Sequence, residues 1–203
     1  MNDGTTTGAP TAGQQSRQPV RADAQRSIDA LLTAAAEVFS TSGVDAPVRQ
    51  ITARAGVGAG TLYRHFPQRS DLIAAVFRNE VDACAAAAPA LAVEHEPAEA
   101  LARWLQRFAG FIATKRGLSA ALHSGDAAYD SLPSYFRRRF EPALGALLNG
   151  AAQAGEIRSD ADPWDLLRAV GNLTLPAGED NEGHTQRMIA LLVDGLRYGT
   201  PKS

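Results

Sequence analysis

The stretch VRQITARAGVGAGTLYRHFPQRSDL, residues 48–72, decides the fold of this chain of 203 residues. Its apolar residues recur at three- and four-residue spacing, which predicts a short helix over about 48–55 and another over about 59–66. Gly56 lies where a helix needs a left-handed C-terminal residue, and Pro67 ends the second helix because it cannot continue the hydrogen-bond ladder. Two short helices joined by a glycine-containing turn predict a helix-turn-helix.

The same spacing continues outward from this stretch. A helix over about 23–42 precedes it, with Ile28, Leu31 and Val38 on one buried face and Gly43 as its stop. Further helices are predicted from near Ser70 to about 88, from Pro97 onward, over 132–154 with an interruption at Pro142, over 164–175 and over about 184–198. Alternating strand-like runs are missing. The chain is therefore predicted to be all-α, with an N-terminal three-helix helix-turn-helix domain and a C-terminal helical domain.

The domain boundaries follow from composition. Residues 1–20 are rich in Gly, Thr, Gln and Pro and have little to bury, so we expect a disordered lead-in. Residues 21–68 are expected to form the helix-turn-helix domain and residues 69–203 the second domain. Arg17, Arg21 and Arg26 leave two alternatives for the lead-in, a minor-groove arm or a plain tail.

Composition also excludes several classes of protein. The formal charge of −2 excludes a histone-like polycation, and the longest apolar run, residues 83–93, is too short to span a bilayer. The N-terminal segment has no apolar core of the kind that signal peptides contain. The single cysteine, Cys84, cannot form an internal disulfide or a multi-thiolate metal site. We therefore expect a cytoplasmic protein without a metal, a cofactor or a membrane segment.

Charge is concentrated in the deciding stretch. Residues 46–70 contain four arginines, Arg49, Arg54, Arg64 and Arg69, and no acidic residue, although the whole chain is slightly negative. A solvated positive face would explain such a cluster. Double-stranded DNA explains why the cluster coincides with a helix-turn-helix, because neutralising phosphates supplies much of the affinity of DNA-binding proteins.

These residues closely resemble the DNA-binding domain of the tetracycline-repressor (TetR) family of bacterial transcription regulators. The resemblance covers about residues 26–72 and includes the run AAAEVFSTSG at 34–43. Its matching positions are Phe39, Gly43, Ile51, Ala53, Gly56, Val57, Gly60, Thr61, Leu62, Tyr63, His65, Phe66 and Leu72. A weaker resemblance, in AGEIRSDADPWDLLRAVGNL at 154–173, is to the segment before the dimerising helices of actinobacterial members.

The resemblance implies how the chain would contact DNA. The helix that begins at Ala59 must enter the major groove by its N-terminal end, where Gly58, Ala59 and Gly60 present little bulk. The methyl group of Ala59 suits a thymine methyl, and Arg64 can reach a guanine edge or a phosphate. The family places residues equivalent to Thr61, Tyr63 and His65 beside backbone phosphates, which position a protein without reading sequence.

Arginines near the two helix starts complete the predicted contacts. Arg49 matches a family position that can reach a base edge, and it is our candidate for sequence discrimination. Arg69 stands where the family usually has Lys, so a phosphate contact is expected there. The family also usually has Ser where Gly58 and Gln68 stand. Gly58 caps a helix almost as well as Ser, whereas Gln68 caps poorly and is expected to loosen its junction.

The second domain is implied to dimerise and to enclose a pocket for a small effector. The segments 164–175 and 184–198 carry apolar residues on more than one side, as the helices of a dimeric four-helix bundle do. Aromatic residues predict an apolar or aromatic effector, although most aromatic stripes belong to a core. The pocket candidates are Trp104, Phe108, Phe111, His123 and Trp164, with Tyr129 and Tyr135 as further polar tips.

The sequence therefore predicts a dimeric repressor that a small effector releases from a palindromic operator. An enzyme is disfavoured because the four histidines are scattered and GVGAG at 56–60 has neither a preceding strand nor a following Lys. Two alternatives stay open. One is a DNA-binding architectural protein that needs no ligand, and the other is a helical module that uses the motif for protein contacts.

Overall fold

The computed structural model describes residues 17–114, 124–174 and 181–198, which form α-helices joined by turns. The helices are α1 (Arg17–Ser42), α2 (Val48–Ala55), α3 (Ala59–His65), α4 (Arg69–Glu94), α5 (Pro97–Thr114), α6 (Leu132–Gln153), α7 (Pro163–Leu173) and α8 (Asn181–Tyr198), with a short 3-10 helix at Ala127–Tyr129. No strand occurs within these ranges, and the predicted all-α class is confirmed.

The first three helices pack around one small core. Leu31 and Phe39 of α1, Ile51 of α2 and Leu62 of α3 are all buried, and α1 contacts both short helices. Gly56 has φ 68° and ψ 26°, the left-handed conformation that the sequence predicts for it. Its N–H and that of the next residue bond back to carbonyls of α2, which turns the chain sharply into α3.

Helix α4 connects the two parts of the molecule. It packs against α1 and the 3-10 helix near its start and along α5 and α6 over most of its length. The cap at its start is better than the sequence suggests, because the Asp71 carboxylate accepts the Gln68 N–H at 3.0 Å. Asp71 thus compensates for the weak capping side chain of Gln68, and a loosened junction is not what the structure shows.

The second part has an aromatic core between α5 and α6. Trp104, Phe108 and Phe111 of α5 meet Phe136 and Phe140 of α6, with ring centroids 5.1 Å apart for Phe108 and Phe140 and 4.6 Å apart for Phe136 and Phe140. Helices α7 and α8 cover the remaining sides of α5 and contact each other. Aromatic contacts therefore join α5 to α6, and the pairs Phe77–Phe111 and Phe136–Trp164 extend them to α4 and α7.

Three predicted helix bounds are wrong, and each of the three helices includes a proline at or beyond the predicted bound. Helix α1 begins at Arg17, inside the predicted lead-in, since Pro19 lies in the first turn, where no backbone hydrogen bond is needed from its nitrogen. Helix α6 continues through Pro142 instead of being interrupted there. Likewise α4 extends to Glu94, beyond the predicted end near 88, and includes Pro89.

The two internal prolines share a location that explains their tolerance. Pro89 and Pro142 both line a groove of about 460 Å³ between α4 and α6. Each ring lies at an open surface, while neighbouring residues such as Ala88 and Leu144 remain buried in the core on the other side. Packing on that side keeps both helices continuous despite one missing backbone donor in each.

Residues 1–16 and His123 lie outside the described residues, as do the side chains of Arg17 and Arg21. Within the described ranges, no helix combines the length and the apolar character needed to cross a bilayer.

Candidate nucleic-acid interface and ligand cavity

Backbone geometry at the turn sets the start of α3. Gly58 is the N-cap with φ −76° and ψ 153°, and its carbonyl accepts the Thr61 N–H at 3.0 Å. Leu62 points inward and is 2% exposed, while Phe66 closes the other end of the helix against the core. These two residues anchor α3 from beneath, so its opposite face is presented to solvent.

The N-terminal tip of α3 is bare. Ala59 and Gly60 are exposed, and a Cβ built on Gly58 or Gly60 would have no atom within 4 Å. No neighbouring side chain therefore overhangs this part of the backbone. A surface of this kind can approach base edges closely, as the sequence predicts.

Polar side chains surround the tip on the same short helix. Tyr63 is 53% exposed despite its large ring, and Arg64 is exposed beside it. Thr61 and His65 are half-buried, and the ring of His65 packs near that of Phe66, with centroids 6.4 Å apart. An aromatic hydroxyl, a guanidinium and an imidazole thus share one outward surface, and all three can donate to phosphate oxygens.

The four arginines of the positive stretch separate into two pairs. Arg49 and Arg64 are exposed and have no hydrogen-bond or ion-pair partner among the described residues. Arg54 instead forms an ion pair with Glu37 of α1. Counting charges along the sequence missed this pair, because Glu37 lies 17 positions earlier and across the core. The interface therefore offers fewer free charges than its sequence suggests.

Arg69 has a structural position that the sequence did not predict. Its Nε donates to the Val44 carbonyl at 2.6 Å, and Nη2 donates to the Ala46 carbonyl, also at 2.6 Å. The guanidinium also lies 5.8 Å from the centre of the Phe39 ring. Arg69 thus fastens the start of α4 to the α1–α2 loop through charge-assisted hydrogen bonds, and the phosphate contact expected at Arg69 stays a prediction.

The residues predicted to line the effector pocket fall into two groups, one in the core and one at a cavity. Trp104 is fully buried, and its Nε1 donates to the Cys84 carbonyl at 3.0 Å. Phe111 is buried against Phe77 and Phe140. Both residues lie in the buried core, and neither lines the cavity that contains Phe108. The sequence could not distinguish them from pocket residues because they share one helix face with Phe108.

Phe108 and Trp164 do line a common cavity. It has a volume of about 250 Å³ and is bounded by α5, α6 and α7. Sequence reasoning missed six of its lining residues, which are Ile112, Phe136, Leu167, Arg168, Gly171 and Asn172. A usable signal was present, since Trp164, Arg168 and Asn172 follow one another at four-residue spacing and therefore share a helix face.

The two tyrosine candidates lie elsewhere. Tyr135 donates its hydroxyl to Asp82 at 2.6 Å and so connects α6 to α4. Burial and this bond to a carboxylate raise the pKa of Tyr135 above its usual value. Tyr129 is buried in the 3-10 helix, which packs against α4. Both residues therefore contact the connecting helix, and neither lines the cavity.

The last two helices show an uneven distribution of apolar residues. Leu167, Val170 and Thr174 of α7 are buried within this chain, as are Ile189 and Val193 of α8. On the outer side of α8, Leu191 is 61% and Tyr198 is 87% exposed. Part of the stripe predicted for dimerisation is therefore used internally, and part remains uncovered.

Two family models match the chain. The model described as "Bacterial regulatory proteins, tetR family" matches residues 31–76, and "Transcriptional regulator SbtR-like, C-terminal domain" matches residues 96–198. Together they cover the candidate interface and the cavity between α5, α6 and α7. No curated protein matches the chain.

Solved structures agree with these models. A TetR transcriptional regulator from Streptomyces coelicolor has 40% sequence identity and a TM-score of 0.72, over 84% of this chain and 98% of its own. A TetR regulatory protein from Mycobacterium vanbaalenii has 32% identity and a TM-score of 0.70, over 88% and 99%. FadR from Bacillus subtilis in complex with stearoyl-CoA shares the fold at 18% identity and a TM-score of 0.59, over 84% and 97%.

Proposed function

The chain belongs to the TetR family of bacterial transcriptional regulators, and on that premise we propose that it is a homodimeric repressor of a palindromic operator. In this proposal residues 21–68 read DNA and residues 69–203 bind a small effector that releases the operator. The observation that carries the proposal is the bare tip of α3 together with two exposed arginines of the same stretch, Arg49 and Arg64, which have no partner among the described residues.

Each exposed residue of the interface has a proposed role. Ala59 and Gly60 allow the tip to enter the major groove, and Arg49 donates to a guanine edge. Thr61, Tyr63 and His65 hold the backbone phosphates, and Arg64 reaches a phosphate or a second guanine. Arg69 is left out of this set because its guanidinium is bonded to loop carbonyls.

The uncovered side of α8 supports a dimer. Leu191 would be buried against the same helix of a second copy, and the half-buried Met188, Leu192 and Leu196 extend its apolar surface. A symmetric dimer presents two recognition helices, which read two half-sites of a palindrome separated by about one helical turn.

Release by an effector would act through α4. This helix is bonded to the α1–α2 loop through Arg69 and to α6 through the bond between Tyr135 and Asp82. A ligand that moves α6 or α7 would therefore also move the helix-turn-helix unit. Coupling energies of about 1–3 kcal/mol change affinity by about 5- to 150-fold. The cavity beside α6 favours this mechanism over an architectural DNA binder that needs no ligand.

The experiment that tests the proposal selects duplexes bound by the full chain from fragments of the host genome. We expect an inverted repeat among the selected sequences and a dimeric mass in light scattering. Binding should weaken steeply as salt rises, because phosphate contacts release counterions. A monomer that binds no duplex at low ionic strength would refute the proposal.

The arginine roles are tested on the selected duplex and on single-base variants of it. We expect Arg49→Ala to reduce discrimination at one position of each half-site by about 1–3 kcal/mol. Arg54→Ala is the matched control, since Arg54 lies on the same helix but is paired with Glu37. Equal loss of base preference in both variants would contradict the role assigned to Arg49.

A further inference from the structure

We infer that the cavity between α5, α6 and α7 binds a small aromatic carboxylate, with Arg168 as the residue that receives the carboxylate group. The inference rests on the proposed function, because it names the chemical class of the effector that this function requires. Four features of the cavity carry it: its walls, its charge, the free state of its arginine and its volume.

The walls are aromatic and firmly held. Phe108 and Phe136 lie with ring centroids 5.9 Å apart, and Phe136 also contacts Trp164 edge-on at 6.3 Å. Phe140 braces Phe108 and Phe136 from behind in T-shaped contacts. A flat apolar ring packs well against such surfaces, through offset-stacked or edge-to-face contacts. Because the walls pack against the core, the ligand would not have to order them on binding.

Charge at the cavity has one sign. Among its described lining residues, Arg168 is cationic and no Asp or Glu occurs. Asn172 follows one turn later on α7 and adds an amide donor to the same face. A ligand with a carboxylate would therefore meet a guanidinium and an amide at one end and aromatic rings at the other.

Arg168 is free for this role. It has no hydrogen-bond or ion-pair partner in the described ranges, whereas its neighbour Arg137 is bonded to Glu141 at 2.7 Å and lies over the Trp164 ring at 4.9 Å. Arg137 is thus neutralised and used for packing. The planar fork of an arginine matches a carboxylate with two parallel hydrogen bonds.

Volume limits the size of the ring system. A cavity of about 250 Å³ is smaller than the range of roughly 300–1,000 Å³ that is typical for drug-sized ligands. One ring or two fused rings would fit. Arg168 and Asn172 are exposed at the edge of the cavity, so the charged group would lie near the opening while the ring is buried.

The experiment compares three acids with their uncharged amides: benzoate with benzamide, cinnamate with cinnamamide, and 1-naphthoate with 1-naphthamide. Dissociation constants are measured with the full chain by ligand-observed NMR. We expect at least one acid to bind tenfold or more tightly than its amide. Arg168→Met should reduce this preference to below twofold, and Arg168→Lys should retain part of it. Arg103→Met is the matched control, since Arg103 is an exposed helical arginine outside the cavity.

A second variant tests the location without changing charge. Gly171 lines the cavity, and a Cβ built on it would have no atom within 4 Å, so Gly171→Phe can fill the space without a backbone clash. We expect this variant to keep its helical circular dichroism and to lose binding of acids and amides together. Acid binding that survives Gly171→Phe, or three acids that bind no better than their amides, would overturn the inference.

The proposed function is judged separately, because operator binding is measured without any ligand. A chain that binds its operator but not the acids would retain the proposed function and refute the carboxylate ligand. A chain that binds the acids through Arg168 but binds no duplex would retain the carboxylate ligand and refute the proposed function.

Discussion

The recognition helices and the aromatic core use their side chains in opposite directions. In α2 and α3 a few residues such as Ile51 and Leu62 hold the helices from within, and the residues proposed to contact DNA point outward. In α5 and α6 the large aromatic residues point inward, and only some of them reach a cavity. Outward residues can be assigned from a local motif, whereas inward ones need the packing of distant helices to be known.

Trp104 and Trp164 give the sharpest test of this contrast within the core. Trp104 is fully buried and hydrogen-bonded, so Trp104→Ala should lower the free energy of unfolding by about 3–5 kcal/mol. Trp164 is half-buried at the cavity wall, and Trp164→Ala should cost about 1 kcal/mol. Urea unfolding followed by circular dichroism measures both losses. Equal losses would mean that the two tryptophans do not differ in role.

Local patterns explain what could be predicted from the sequence. The left-handed Gly56, the stop at Pro67 and the inward Leu62 depend on residues within one or two turns, and the structure has them as expected. The resemblance of residues 48–72 to the DNA-binding domain of the TetR family predicts the same helix-turn-helix.

Contacts between distant residues explain what could not be predicted. Arg54 meets Glu37 across 17 positions, and Arg69 meets Val44 across 25, so neither contact has a periodic signature. Trp104 and Phe108 are one turn apart and chemically alike, yet Phe108 alone of this pair lines the cavity. The difference arises from where α7 crosses α5, which no local spacing records.

The next prediction concerns Arg69, which lies at the start of α4, between the helix-turn-helix and the aromatic core. Arg69→Ala removes the bonds to the Val44 and Ala46 carbonyls and should lower the free energy of unfolding by about 1–3 kcal/mol. Arg69→Lys should recover part of this loss, because an ammonium can donate to one carbonyl but lacks the planar fork.

Salt dependence of operator binding distinguishes this structural role from a phosphate contact. For Arg69→Ala we expect the slope of log affinity against log salt to stay unchanged. If Arg69 contacted a phosphate in each half-site, the slope would fall by about 2 in a dimer. A slope that falls by this amount would restore the phosphate role and contradict the assignment made from the loop carbonyls.

The smallest expected effect is at Gly58. A side chain at this position would stabilise the start of α3 but would also add bulk where the helix approaches DNA. Gly58 has N-cap dihedral angles and room for a Cβ, so Gly58→Ser can add the missing cap bond and should stabilise the chain by a few tenths of a kcal/mol. The melting temperature should rise by about 1 °C. Gly56→Ser is the matched control and should lower it, because Gly56 has a positive φ of 68°.

The operator affinity of Gly58→Ser shows whether Gly58 belongs to the surface that contacts DNA. If the tip must approach base edges, Gly58→Ser should bind the operator more weakly although it is more stable, since the new side chain stands beside Ala59 and Gly60 at the groove. A variant that gains stability and keeps full affinity would mean that Gly58 itself lies outside the contact surface. The close approach would then begin at Ala59, and the contact surface would be confined to α3.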